Sequence, residues 1–365
     1  MNDTKIIKTI CAKTGKYFAL EVKQFGGEYR VVNMVELSGD EADHIASEIR
    51  VKALKSAENL LPCSRCGSRT VMGCACARSA KCSKNTPYRF QCLYCKEMCF
   101  DNTGVKAGGP YTQWAGISNI PDAAKDRFGN AAGSQYDLAQ DGGFQGYKIV
   151  ILLTYLDDNS IGKLPYPIDA LSKKGFSVTL FSGVPDVNTL CKELADACQL
   201  WYISDKSRHI TDQHVDVIQD FFQQGYGLYI WGDNDPFYVD ANILCNRIFG
   251  TTMSGNSQGN QIIGVQTHQG GSGIITNHLI TTGLTNFYEG ITIAEVQTTK
   301  DLQPLIYGSN GKVVAAYYEK EQKRAIVDGG FTRLYCKWNS AGTDRYVVNA
   351  AAWLANVERF GYSKQ

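Results

Sequence analysis

No apolar run in this chain approaches the ~18 residues that a membrane-crossing helix needs. Residues 1–18 hold no apolar core of signal-peptide length. Strong charge of one sign is missing too: 37 Lys and Arg face 36 Asp and Glu, a net of +1 at pH 7. That balance excludes a field over the whole molecule strong enough to gather polyanions. There is no internal repeat and no low-complexity tract. These absences leave a cytoplasmic globular protein as the expectation, and 365 residues suffice for two domains.

Cysteine, by contrast, is plentiful. Thirteen are present, and eight fall between Cys63 and Cys99. Cys63 and Cys66 form one CxxC pair, and Cys92 and Cys95 another about 25 residues on. Each such knuckle turns two sulfurs toward one point, so the two pairs make the usual ligand set of a tetrahedral zinc. Cys74, Cys76, Cys82 and Cys99 are enough for a second ion. An odd count at metal spacing fits a reducing compartment better than a secreted disulfide framework. A segment this small buries little apolar surface, so metal–thiolate bonds would supply most of its folding free energy. Two zinc ions per chain are expected. The division of ligands stays open, because Cys11-Ala-Lys-Thr-Gly15 resembles half a knuckle.

Residues 5–11, 17–23 and 29–35 alternate as short strands, with Gly15 and Gly26-Gly27 at the turns. Ser38-Gly-Asp-Glu41 has capping-box spacing and opens a helix with Ile45, Ile49, Ala53 and Leu54 on one side. Residues 1–100 thus read as a small α+β module of zinc-ribbon type. Residues 101–145 are rich in Gly, Asp and Asn and mark a linker or a long surface loop. Trp114, Asn119, Arg127 and Phe128 make that loop too specific for a plain tether. From Tyr147 strands (148–153, 176–181, 199–203, 227–231, 324–327) alternate with helices (168–174, 188–197, 212–224, 239–248, 346–356). Thr211 is placed to cap the third helix and Gly225 to stop it. Short links between such elements imply a mostly parallel sheet covered on both sides, here over residues 146–360.

Three stretches carry a resemblance: Gly225-Tyr-Gly-Leu-Tyr-Ile-Trp-Gly232-Asp233; Asn277-His278-Leu279-Ile280-Thr281-Thr282-Gly283-Leu284; and Asp328-Gly329-Gly330-Phe331 followed by Asn349-Ala-Ala-Ala-Trp353-Leu354. They resemble the class I glutamine-amidotransferase-like (ThuA-like) superfamily, although Leu279 stands where relatives usually have proline. The resemblance implies a flavodoxin-like three-layer α/β fold for residues 145–357. The cysteine-rich first 100 residues are similar to the metal-binding region attached to von Willebrand A domains in TerY-type proteins. That implies a setting in bacterial stress or tellurium-resistance systems.

Active members of the superfamily carry Cys or Ser at a sharp strand-to-helix turn, with backbone N–H groups nearby to hold an oxyanion. The matching turn here, Gly232-Asp233-Asn234-Asp235-Pro236, has neither. Asp233 is the remaining reactive group, as nucleophile or base with His278 or a metal. The blander expectation is that Asp233 and Asn234 cap the next helix. Side chains after strand ends converge in the crevice of an open α/β sheet. That adds Asp157, Asp158, Asp205, Asp328, Gly329 and Gly330 to Gly232, Asp233, Asn234 and His278 as the ligand-binding set. Carboxylates so clustered would suit a cation or sugar hydroxyls.

Cys191, Cys198 and Cys245 read as small buried hydrophobes, and Cys336 follows the last strand. His209 and His214 read as exposed. His268 lies in a Gly-rich loop able to cradle an anion, without the phosphate-loop pattern.

Between Cys63 and Cys99 stand seven basic residues and one acid, Glu97, interleaved with Tyr88, Phe90 and Tyr94. This resembles a nucleic-acid-binding ribbon, but two four-thiolate zinc centres would offset most of the charge. The leading expectation is a zinc-stapled module that docks a protein partner, joined to an α/β domain that binds a ligand without catalysis. The alternatives are a small-molecule hydrolase working through Asp233 and a zinc-ribbon nucleic-acid binder.

Overall fold

The computed structural model describes residues 110–155 and 164–357, together with seven short strands among the first 100 residues. It divides into two units, Met1–Ala107 with Val357–Gln365, and Gly108–Asn356.

In the first unit, β1 (Lys5–Ile10), β2 (Tyr17–Phe25) and β3 (Glu28–Glu36) form an antiparallel meander. β4 (Val71–Gly73) and β5 (Ala80–Cys82) pair antiparallel, and β5 runs parallel to β1, giving the order β3-β2-β1-β5-β4. β6 (Arg89–Gln91) and β7 (Met98–Phe100) make a separate antiparallel pair, with Phe90 opposite Cys99. The three alternating stretches read from the sequence are strands, as expected. Of the expected zinc ligands, Cys82 ends β5 and Cys99 lies within β7. Cys63, Cys66, Cys74, Cys76, Cys92 and Cys95 fall outside the described residues, as do Cys11 and the helix expected after Ser38.

The second unit is built on β8 (Lys148–Leu153), β9 (Ser177–Ser182), β10 (Gln199–Ile203) and β11 (Gly227–Trp231). Every residue of β10 and β11 is buried, which is why neither shows polar alternation. An excursion follows through β12 (Met253–Gln258), β13 (Ile262–Gly264), β14 (Gly273–Ile274), β15 (Asn286–Tyr288), β16 (Thr292–Val296), β17 (Leu302–Tyr307) and β18 (Val313–Lys320). β19 (Lys323–Asp328) then returns to the sheet, whose order is β14-β17-β18-β19-β11-β10-β8-β9. Neighbours among β9, β8, β10, β11 and β19 pair parallel, and β18, β17 and β14 extend the sheet antiparallel. Ranked by appearance in the chain, the parallel strands run 2-1-3-4-5. This is the flavodoxin-like order, and its switch point falls between β8 and β10.

Helices follow the parallel strands: α1 (Pro165–Lys173), α2 (Val187–Leu194), α3 (Asp212–Gln223), α4 (Val239–Phe249) and α5 (Thr343–Leu354). α1 packs against α5, while α2, α3 and α4 pack in series. Leu190, Val215, Ile218, Phe222 and Leu244 of the α2–α4 layer meet Val150, Leu200, Leu228 and Val327 of the sheet. Trp201, Tyr229 and Trp231 alternate onto the other face, where Tyr229 and Trp231 stack at 4.2 Å. Thr211 caps α3 by accepting from the His214 N–H. His214, expected at the surface, is buried, because its ring completes that capping box and lies 2.9 Å from the Pro185 carbonyl. Among the described residues no helix is long and apolar enough to cross a membrane.

Residues 110–146 carry little regular structure beyond one 3-10 turn, Ser134–Tyr136, yet buried polar contacts fasten them to the α/β unit. Arg345 of α5 pairs with Asp137 at 2.8 Å and donates to the carbonyls of Ala131, Gly133 and Gly283. Asn349 accepts from the Leu138 N–H at 2.7 Å and donates to the carbonyls of Ile280 and Thr282. Asn130 Oδ1 accepts from the N–H groups of Thr285 and Asn286, both at 2.8 Å. Ile120, Ala123 and Ala131 close a small core against Trp114 and Tyr136. The segment is a wall of the unit.

Candidate functional site

Four turns meet the carboxyl edge of the parallel strands: Thr154-Tyr155 after β8, Ser204-Asp205 after β10, Gly232-Asp233-Asn234 after β11, and Gly329-Gly330-Phe331 after β19. The last two are stitched together. The Gly232 N–H donates to the Asp328 carbonyl at 2.8 Å, and the Phe331 N–H to the Gly232 carbonyl at 3.1 Å. Tyr155 packs its ring on Phe331 and Phe237 at 4.5 and 5.0 Å, which ties the end of β8 to this edge. At Gly329 a Cβ would run into the Ala294 carbonyl, so only glycine lets β19 pass β16 this closely.

Beneath the edge lies a buried ion pair. Asp328 and Arg333 are both fully buried and bonded to each other. Asp328 also accepts from the Gly330 N–H at 2.9 Å and from the hydroxyls of Tyr346 and Tyr229 at 2.9 and 3.4 Å. Arg333 donates to the Glu289 carbonyl and lies over the rings of Phe287 and Tyr346 at 4.9 and 5.7 Å. The Glu289 carboxylate is held by Ser309 and the Gln261 N–H. Asp328 is thus fully committed to protein donors. Its role is to hold Arg333 rather than to meet a ligand.

Asp233 differs. It is 2 % exposed, and its Oδ1 makes no hydrogen bond with any described residue. Burial pushes its carboxyl up to about 7; the Asn234 N–H and then the Arg333 charge pull it back only in part, and Asp328 opposes that pull. Three more buried polar atoms without partners flank these two turns in sequence: Trp231 Nε1 at the end of β11, and Thr332 Oγ1 and Arg333 Nε just after Phe331. Buried polar atoms are rarely left unpaired. Four together, three donors and one acceptor, mark this edge as the polar centre of the domain.

Asn234 and Asp205 are engaged elsewhere. Asn234 accepts from the Thr292 hydroxyl at 2.7 Å and donates to the Asp235 carbonyl. Neither Asp233 nor Asn234 caps α4, which corrects that expectation. A turn containing the cis Asp235–Pro236 bond intervenes, and the helix begins after Tyr238 with no side-chain cap. Asp205 is turned back onto its own loop, accepting from the Lys206 N–H and lying 3.1 Å from His209. Asp157 and Asp158 fall outside the described residues. Among the described residues no group of three or more His, Cys, Asp and Glu side chains forms a metal-holding set. The described carboxylates thus form no metal-holding set.

His278 is not a partner of Asp233. Its Nδ1 accepts from the Ile280 N–H at 3.2 Å, and its ring packs on Tyr317 and Trp353 at 4.3 and 5.2 Å. Burial, reinforced by the Arg324 charge, lowers its imidazole to about 4. Arg324 stands near the start of β19 and Asp328 at its end, about 13 Å apart along the strand. No hydrogen bond joins His278 to Asp233 among the described residues.

Of the four cysteines of the second unit, Cys198 and Cys245 are buried, and burial raises both thiols, Cys198 to about 12. Cys191 is exposed on α2, contrary to expectation, and Cys198 lies past the end of that helix. Cys336 does approach the edge. Its Sγ donates to the Thr332 carbonyl at 3.2 Å, and the Asp233 charge helps to raise its thiol, although burial is the main cause. A thiol raised in this way is a weak nucleophile. Sequence reading missed Arg333, Glu289 and Tyr346. The only local signal was Asp328 five residues before Arg333.

The described fold is thus a three-layer α/β domain of flavodoxin-like strand order with a buried, partly unpaired carboxyl at its carboxyl edge. No protein-family model and no curated protein sequence matches this chain. Among solved structures it is similar to a ThuA-like protein from Bacteroides uniformis ATCC 8492, at 13% identity and a TM-score of 0.40, over 58% of this chain and 92% of that one. A ThuA-like protein from Parabacteroides merdae ATCC 43184 is similar at 10% identity and a TM-score of 0.42, over 60% and 94%. An exo-β-1,4-mannosidase from Opitutaceae bacterium strain TAV5 is similar at 9% identity and a TM-score of 0.35, over 58% and 36%.

Proposed function

We propose that this chain is a two-module binding protein. Its α/β unit holds a small polar ligand at the carboxyl edge around Asp233 without forming a covalent intermediate. The observation that carries this reading is the Asp233 carboxyl, buried, with one oxygen unpartnered, and pushed up to about 7 by that burial. A neutral carboxyl donates as well as accepts, so such a site suits a ligand with both kinds of group. No thiolate or serine stands at the β11 turn to attack it.

The first module would be stapled by two zinc ions held by Cys63, Cys66, Cys92, Cys95, Cys74, Cys76, Cys82 and Cys99. Its chemistry supports this reading, since eight thiols at knuckle spacing suit soft tetrahedral sites. The paired strands β6 and β7 flank the Cys92–Cys95 segment, and β4 and β5 flank Cys74 and Cys76. In this reading the module docks a protein partner in a cytoplasmic, tellurite-type stress system.

A second reading is a hydrolase in which Asp233 acts as general acid or base, favoured by a carboxyl titrating near the working pH. One experiment separates the two. Polar metabolites are screened by thermal shift against the wild type and Asp233→Asn, and every hit is followed for turnover. Stabilisation that is lost in the variant, without turnover, supports binding. Turnover that disappears in a folded Asp233→Asn chain supports the hydrolase. Hits that stabilise both chains equally overturn an Asp233-centred site.

A further inference from the structure

A cleft of about 620 Å³ opens between the 116–129 segment and residues 265–285, and it shares no residue with the Asp233 edge. Hydrogen bonds fix its walls. The Gly283 N–H donates to the Ile117 carbonyl at 2.8 Å, the Gly116 N–H to the Thr282 hydroxyl at 2.9 Å, and the Thr285 hydroxyl to the Gly129 carbonyl at 2.8 Å. Asn119, Lys125, Thr276 and Asn277 line the cleft, and none of these side chains bonds to a described residue. Ile117, 39% exposed, and Val265 supply an apolar wall. No carboxylate lines the cleft. Asn277 holds a φ of 65, a left-handed conformation that asparagine enters more readily than other residues with a Cβ.

We propose that this cleft binds a small organic carboxylate with an aliphatic body. The Lys125 ammonium supplies the charge. The two amides and the Thr276 hydroxyl supply donors for the remaining lone pairs of the carboxylate, which accepts only. Ile117 and Val265 cover the body. The volume falls within the range of small-molecule sites. An inorganic anion would leave the apolar wall wet, and a neutral analogue would leave the ammonium without a counter-charge.

The test is calorimetric titration of the full-length chain with hexanoate, hexanamide and inorganic phosphate. Hexanoate binds with millimolar affinity. Hexanamide binds about tenfold or more weakly, the factor expected for one charge-assisted hydrogen bond. Phosphate gives no saturable heat. Lys125→Gln, at an exposed position, weakens hexanoate by a similar factor with the thermal midpoint unchanged, and Ile117→Ser weakens it too. The proposal is overturned if hexanoate gives no saturable binding, if hexanamide or phosphate binds as well as hexanoate, or if Lys125→Gln binds hexanoate like the wild type.

Discussion

Asp233, buried, and His278, half-buried, pull the pH dependence of stability in opposite directions. The Asp233 carboxyl is raised from 3.8 to about 7 in the folded chain, mainly by burial. Its neutral form therefore favours folding below about pH 4, and that contribution is lost as pH rises through about 7, at most about 4 kcal/mol. The His278 imidazole is lowered from 6.5 to about 4. Its contribution is present above pH 6.5 and lost as pH falls through about 4, at most about 3 kcal/mol. In the wild type the two slopes largely cancel across the acid range. Asp233→Asn should raise the urea midpoint at about pH 8 and leave a steeper loss of stability toward acid. His278→Asn, which keeps an acceptor for the Ile280 N–H, should leave the Asp233 slope alone, so that stability rises toward acid, at a cost of about 1–2 kcal/mol in ring packing. Urea midpoints of the three chains across this range check both. Parallel curves would show that neither group titrates as its surroundings dictate.

At the scale of elements, much of the fold was legible. The strands β8, β10 and β11 read from the sequence because burial on both faces leaves unbroken apolar runs. α3 read clearly because its cap, apolar stripe and stop agree. α1 begins three residues before the expected start, since Pro165 reads as a breaker yet fits the first helical turn. Strands β12 to β18 escaped notice. Several are only two or three residues long, and β12 is half-exposed, so no period of two develops. At the site, Asp233 was visible as the polar residue where a nucleophile belongs. The Arg333–Asp328–Glu289 network was not, because a charged side chain in sequence reads as surface and its partners come from distant strands. The same blindness applied to Arg345. Arg345→Met should cost about 2–4 kcal/mol, because the carbonyls of Ala131, Gly133 and Gly283 lose their donor while Asp137 keeps only Lys174, at 2.7 Å. It should also raise hydrogen exchange selectively across residues 110–146. Arg127→Met, at an exposed site, should change stability by less than about 0.5 kcal/mol. Equal protection of the loop in both variants would show that Arg345 does not anchor it.

For the whole molecule, the proposed zinc module and the α/β unit should respond separately to chelation. Elemental analysis should return two zinc ions per chain. A strong chelator should abolish the melting transition of the first unit, because metal binding and folding are one equilibrium there. The transition of the α/β unit should stay in place. Fewer than about one ion per chain, or a chelator-insensitive first transition, would remove the zinc reading. The buried anchors of residues 110–146 carry a practical consequence. A shortened chain starting at Tyr147, where regular strands begin, would present Arg345 and Asn349 to water with every upstream partner deleted. Such a fragment should express as insoluble material, whereas one starting at Gly108 should behave as an autonomous domain.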